Sequence, residues 1–197
     1  MANADAAFGL RPMGLGSDKQ TNIYSVDATG ASAIYLYDPV TLTGTADANG
    51  IPEVRLTTVA ATTTANNLPI VGVVVGFASS KEGTQLQGDT KYAAATPGSG
   101  VYAIVADNPD EVFLAQEDGN LGVAGVGNNF RLVLAAGSTT SGISGSEIDS
   151  SAVSTDVGLT NVKVVGLHQS PDNEVGTNAV WKVRISKHQY NSATAGV

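Results

Sequence analysis

At 197 residues the chain is long enough to bury a full core, and with no cysteine it excludes disulfides, thiolate metal sites and cysteine nucleophiles. Its formal net charge is −8, from 18 acidic and 10 basic residues, a balance that argues against nucleic-acid binding driven by Lys and Arg neutralising phosphate. The longest apolar run, Ile70 to Ala78, is broken by Gly72 and Gly76 and falls far short of the ~20 residues a membrane-spanning helix needs, so no membrane partner is expected.

The opening stretch, MANADAAFGLRPMGLG, has neither the basic nor the apolar region of a secretory signal, so synthesis in a cytoplasm is expected. It shows no burial pattern either, and residues 1–20 are expected to form an extended arm ahead of a single β domain spanning 21–190. Strands are expected at Asn22 to Val26, at Ala33 to Tyr37 before the Asp38-Pro39 turn, and at Val40 to Thr43. Glu53 to Val59 alternates, with Val54 and Leu56 on one face. Pro69 to Ser79 is the most apolar segment and reads as a central strand buried on both faces, its two glycines marking a bend or bulge. Val101 to Ala106 and Glu111 to Gln116 flank Asp107-Asn108-Pro109-Asp110, which reads as a four-residue hairpin loop. Asp118 to Asn129 reads as loop with room for one helical turn, and Phe130 to Ala135 returns to strand. Ser138 to Thr155 is small and polar with apolar pegs at Ile143, Ile148 and Val153, as expected of an ordered excursion. Asn161 to His168 and Ala179 to Tyr190 are the last strands. In the latter, Trp181, Val183 and Ile185 face one way and Lys182, Arg184 and Ser186 the other. Residues 191–197 read as a flexible C-terminal tail, and no internal repeat is legible. About ten short strands without crossover helices predict an all-β, antiparallel barrel or sandwich with long ordered loops.

Gly-x-Ser-x-Gly is absent, since Gly142-Ile143-Ser144-Gly145-Ser146 ends on the wrong residue. His168 and His188 lie 20 residues apart without a zinc template, and His188 reads as a surface or edge histidine. Asp107 to Glu111 and Asp172 to Glu174 lack the ligand spacing of a calcium loop. The glycines of Gly122 to Gly127 are in the wrong order for a dinucleotide site. Trp181 alternates with Val183 and Ile185, so a core role is expected. No catalytic residue, cofactor or metal is expected. Lys163, Lys182, Arg184 and Lys187 cluster in the last two strands, too few for a nucleic-acid footprint but suited to an acidic partner surface.

Several stretches resemble a known group. MANADAAFGLRP at the start, YDPVTLTG (37–44), LPIVGVVVGFASS (68–80), VYAIVADNPDEVFLAQEDG (101–119), TTSGISGSEIDSS (139–151) and VVGLHQSPDNEVGTNAVWKVRISKHQY (164–190) are similar to the head decoration, or cement, proteins of tailed bacteriophages. The resemblance touches most of the chain. It implies a non-enzymatic viral structural protein that binds the outer surface of the capsid and stabilises the expanded head. The implied partners are the major capsid protein and further copies of itself, often as a homotrimer, and the implied location is the virion exterior. On that reading Ala6, Ala7, Phe8, Leu10, Arg11 and Pro12 are the capsid-contacting residues of an arm that orders on binding. Two rivals predict other behaviour. A receptor- or glycan-binding module of a fibre or head appendage would use the polar stretch Thr139 to Thr155, although aromatic residues are scarce. An envelope hydrolase would depend on His168 or His188.

Overall fold

A computed structural model describes residues 3–14, 20–59, 69–82, 91–156 and 159–191. Leu68, residues 1–2 and 15–19 of the expected arm, and residues 192–197 of the expected tail lie outside these. The fold is nearly all β, built from sheets of mostly antiparallel strands. Thirteen strands run through the described residues: β1 (Arg11–Pro12), β2 (Thr21–Val26), β3 (Ile34–Tyr35), β4 (Pro39–Ala46), β5 (Pro52–Leu56), β6 (Gly72–Ala78), β7 (Tyr92–Ala93), β8 (Tyr102–Ala106), β9 (Phe113–Gln116), β10 (Asn129–Val133), β11 (Glu147–Ser154), β12 (Val162–Leu167) and β13 (Val180–Ile185). Three of them, β1, β3 and β7, are two residues long, which leaves ten of the kind that β-branched, alternating sequence makes visible.

The first half closes into a barrel in the order β2-β5-β4-β6-β8. Five strands cannot alternate direction all the way round a ring, so one neighbouring pair must be parallel; it is β2 with β5, joined at Ser25↔Glu53 and Val26↔Val54. Val26, Val40, Val54, Val71, Val74, Phe77 and Val105 fill the interior. The second half forms a sheet in the order β1-β9-β13-β12-β10-β11. This sheet curls until β11 meets the end of β9 through the parallel bridge Glu117↔Ile148. Its core holds Phe113, Ala115, Phe130, Leu132, Ile148, Val164, Trp181 and Val183, and the same cluster takes in Ile70, Val73 and Ala106 from the first barrel, so the halves share apolar packing.

The two rings have one connectivity. Taken in chain order, the five strands of each ring lie first beside third, third beside second, second beside fourth, fourth beside fifth and fifth beside first. The registers agree as well. Val26↔Val54 corresponds to Glu117↔Ile148, Leu42↔Val54 to Leu132↔Ile148, and Val40↔Gly72 to Phe130↔Val162. Tyr24↔Ala103 corresponds to Ala115↔Trp181. The ladder slips between Val74 and Gly76 in β6 and between Val164 and Gly166 in β12, so each ring carries a bulge at the same Val-Val-Gly. Backbone bonds outside the ladders match too: Tyr37 N–H donates to Val74 O and Gly127 N–H to Val164 O, while Asp27 N–H donates to Val54 O and Asp118 N–H to Ile148 O. Tyr37, at φ 72°, stands where the other ring has Gly127 at φ 86°. The absence of a legible repeat is thereby corrected: the repeat lies in the hydrogen-bond register, not in the residues.

Three further expectations change. Residues 107–110 do turn, with Asp110 N–H donating to Asn108 Oδ1 at 2.9 Å, but β8 and β9 do not pair. The turn is the passage from one ring to the other. Within Ser138 to Thr155, the stretch Glu147–Ser154 is strand β11, hidden by its small polar residues; Ile148 is buried but Val153 is 54% exposed. The loop before it, reaching Ser146, is ordered by its own hydrogen bonds. Finally, residues 3–14 are not a free arm, because they pack along the second ring.

Candidate functional site

The opening segment lies across the outer face of the six-stranded sheet. Asn3 fastens its start by donating from Nδ2 to Glu174 O and Thr177 O and accepting at Oδ1 from Glu174 N–H. Gln116, which alternation turns to the outer face of β9, is nearly inaccessible because the segment covers it: Ala6 N–H donates to its Oε1 (2.8 Å) and its Nε2 donates to Ala4 O (2.7 Å). Gly9 N–H donates to Ser146 O and Leu10 N–H to Tyr37 O. Gly9 has φ 74°, and a Cβ there would stand 2.5 Å from Tyr37 O, so the path of the chain requires glycine. Leu10 is fully buried in the second core. Pro12 is buried opposite Phe113, while Met13 N–H donates to Val112 O at 2.9 Å. The ladder therefore places Pro12 at the pair that exchanges no backbone hydrogen bond, where its missing N–H costs nothing.

Of the six arm residues expected to touch a capsid, Leu10 and Pro12 are thus corrected to the chain's own packing. Ala6, Ala7, Phe8 and Arg11 keep full or partial exposure. The Arg11 guanidinium sits over the Phe8 ring, 5.2 Å from its centroid, a cation–π pair that presents charge and apolar surface together. Beside them is a recess of about 300 Å³ lined by Phe8, Arg11, Leu114, His168 and Val180.

Register places this pair with the basic residues of the last strands. Arg11 is opposite Leu114, and Leu114 is opposite Lys182, so Arg11 and Lys182 share the outer face across three adjacent strands. Arg184 follows two residues on, and Lys163 is directly opposite it. Four of the ten basic residues of an acidic chain therefore gather on one face. The nearest neutralising contact is a long, exposed one, Arg184 to Asp110 at 3.4 Å, worth little in water. Lys187 lies beyond β13, where its carbonyl accepts from Ile70 N–H.

The histidines are separate. His168 lines the recess of Phe8 and Arg11. His188 is buried, which corrects its reading as a surface or edge residue; its Nδ1 accepts Tyr190 N–H, and desolvation holds it below the usual histidine range although Asp107 pulls the other way. Trp181 is in the core as expected. Sequence reading missed Glu117, which is fully buried at the end of β9, accepts from Leu121 N–H and is pushed up by burial. It also missed the cluster around Asp107, whose Oδ2 accepts from Tyr24 OH at 2.6 Å and Asn22 Nδ2 at 2.8 Å. Nothing local in the sequence marks the Asp107 cluster, since its partners Asn22 and Tyr24 lie more than 80 residues away.

Comparison with models of protein families, with curated proteins and with solved structures returned no match.

Proposed function

We propose that the chain is a non-enzymatic virion protein that binds the outer surface of a phage capsid and reinforces the expanded head. One observation carries the reading beyond the resemblance in sequence: Arg11, Lys163, Lys182 and Arg184 form a basic face on a protein of net charge −8, with Phe8 half-buried beside them. A like-signed surface with one opposite patch orients its approach to an acidic partner and rejects wrong orientations. On a lattice of repeated sites, modest contacts of this kind sum to stable coverage. Partners on this reading are the major capsid protein and neighbouring copies of the chain, as in a trimer.

The test uses purified protein and expanded capsids of the cognate phage. Charge reversal by Lys182→Glu with Arg184→Glu is expected to lower capsid occupancy at least about tenfold at physiological salt, because both charges lie within one screening length of the face they meet. Circular dichroism and melting should remain those of the parent, since both side chains reach solvent. Unchanged occupancy and unchanged capsid heat stability would overturn the reading.

A further inference from the structure

In the second ring the outer edge of β9 is covered. β1 pairs with Phe113 and Leu114, and Met13 N–H donates to Val112 O. The register of the two rings makes Thr21, Asn22 and Ile23 the equivalents of Val112, Phe113 and Leu114. In the first ring, however, β5 reaches only Ser25 and Val26. Among the described residues no strand lies against Thr21 to Tyr24 on the edge away from β8. Val26 N–H donates to Val101 O, so antiparallel alternation turns the backbone groups of Thr21 and Ile23 away from β8 and towards this open edge.

Beside the edge is a cleft of about 350 Å³ lined by Asn22, Ile23, Tyr24, Pro52, Asp107 and Tyr190. Asp107 is 2% exposed, and only its Oδ2 is engaged, by Tyr24 and Asn22; Oδ1 has no hydrogen-bond partner. A buried carboxylate oxygen without a donor is costly, and a cation supplied from outside relieves that cost. Asn22 and Tyr24 both reach Asp107, so the carboxylate serves the face of β2 that these two residues share. The guest residue pairing with Asn22 points to the same face.

We propose that the open edge of β2 is a docking site for an extended segment of a partner protein, added antiparallel to β2 and carrying Lys or Arg opposite Asn22, where it reaches Asp107. In the second ring, which shares this connectivity and register, the chain's own β1 fills the equivalent place. Main-chain bonds to Thr21 and Ile23 supply the attachment and the cation supplies the selectivity. The proposal stands whether or not the partner is a capsid protein.

The probe is an octapeptide with the sequence of residues 6–13 carrying Pro12→Lys, titrated into the full chain and followed by amide chemical shifts. Shifts are expected at Thr21 to Tyr24, Asp107 and Tyr190. Affinity should fall at least about tenfold when the peptide carries Pro12→Glu, when its Arg11 nitrogen is methylated, and when the protein carries Asp107→Asn. The two peptide changes leave the protein untouched and so are independent of its folding. No shift at Thr21 to Tyr24 with millimolar peptide would overturn the proposal. So would shifts confined to Phe113–Gln116, which would mean that the peptide only exchanges with β1, or equal affinity for the Lys and Glu peptides.

Discussion

Gly9 and Gly127 both adopt positive φ, at 74° and 86°, but their surroundings differ. Nothing lies within 4 Å of a Cβ built on Gly127, so Gly127→Ala should cost only the left-handed backbone penalty, about 1 kcal/mol. A Cβ on Gly9 meets Tyr37 O at 2.5 Å and Ser144 Cβ at 2.7 Å, so Gly9→Ala should cost about 3 kcal/mol or more in urea unfolding. Equal, small losses would mean that the opening segment does not hold the path seen here. Asp38 is the other residue whose cost is local. Burial pushes its carboxyl up to about 6, against hydrogen bonds from Ser144 Oγ, Tyr35 N–H and Ser146 Oγ. The native state therefore holds a proton between about pH 4 and pH 6 that the unfolded chain has lost, and stability falls as pH rises through that window, by about 3 kcal/mol at most. Asp38→Asn cannot ionise, so its unfolding free energy should show a correspondingly smaller loss between pH 4 and pH 6.5. Identical slopes in the two proteins would remove Asp38 as the source.

At the scale of elements, the two rings solve one packing problem with exchanged residues. The registered pair Tyr24↔Ala103 in the first ring is Ala115↔Trp181 in the second, one aromatic to each pair but on opposite strands. Cores tolerate such swaps because total volume, not identity, sets packing. Trp181→Ala should therefore cost about 3–5 kcal/mol, and adding Ala115→Phe should restore at least about half of it, although Ala115→Phe alone overpacks the ring. Simple addition of the two losses would contradict the exchange. The same swaps hide the repeat from sequence. What survives of it is Val74-Val75-Gly76 and Val164-Val165-Gly166, three residues that mark a shared bulge and are too few to be noticed without the register. The long strands were legible: β2, β8 and β12 carry β-branched alternation within a residue of their observed bounds, while β13 starts within a residue of the expected Ala179 but ends at Ile185, five residues short of Tyr190. The passage at 107–110 was misread because a turn's local chemistry fixes its bend, whereas the partner each flanking strand chooses depends on distant residues.

For the whole molecule, charge and topology act together. Arg11 is 171 residues from Lys182 in sequence, and only the order β1-β9-β13-β12 sets them on one face with Lys163 and Arg184. The sequence by itself determined the all-β class, most of the strands, the core role of Trp181 and the basic character of the final strands, because these follow from local alternation and composition. It also marked the opening segment as unusual, but misjudged why. Leu10 and Pro12 are apolar because they complete the second ring, while Phe8 and Arg11 remain outside. Tertiary structure alone decided the ring closures, their common register, the burial of His188 and Glu117, and the contrast between a β9 edge covered by β1 and a β2 edge that no described strand covers before Ser25. Each of these is a pairing between residues far apart in the chain, and a pairing is set by the free energy of the assembled sheet, which no single segment carries.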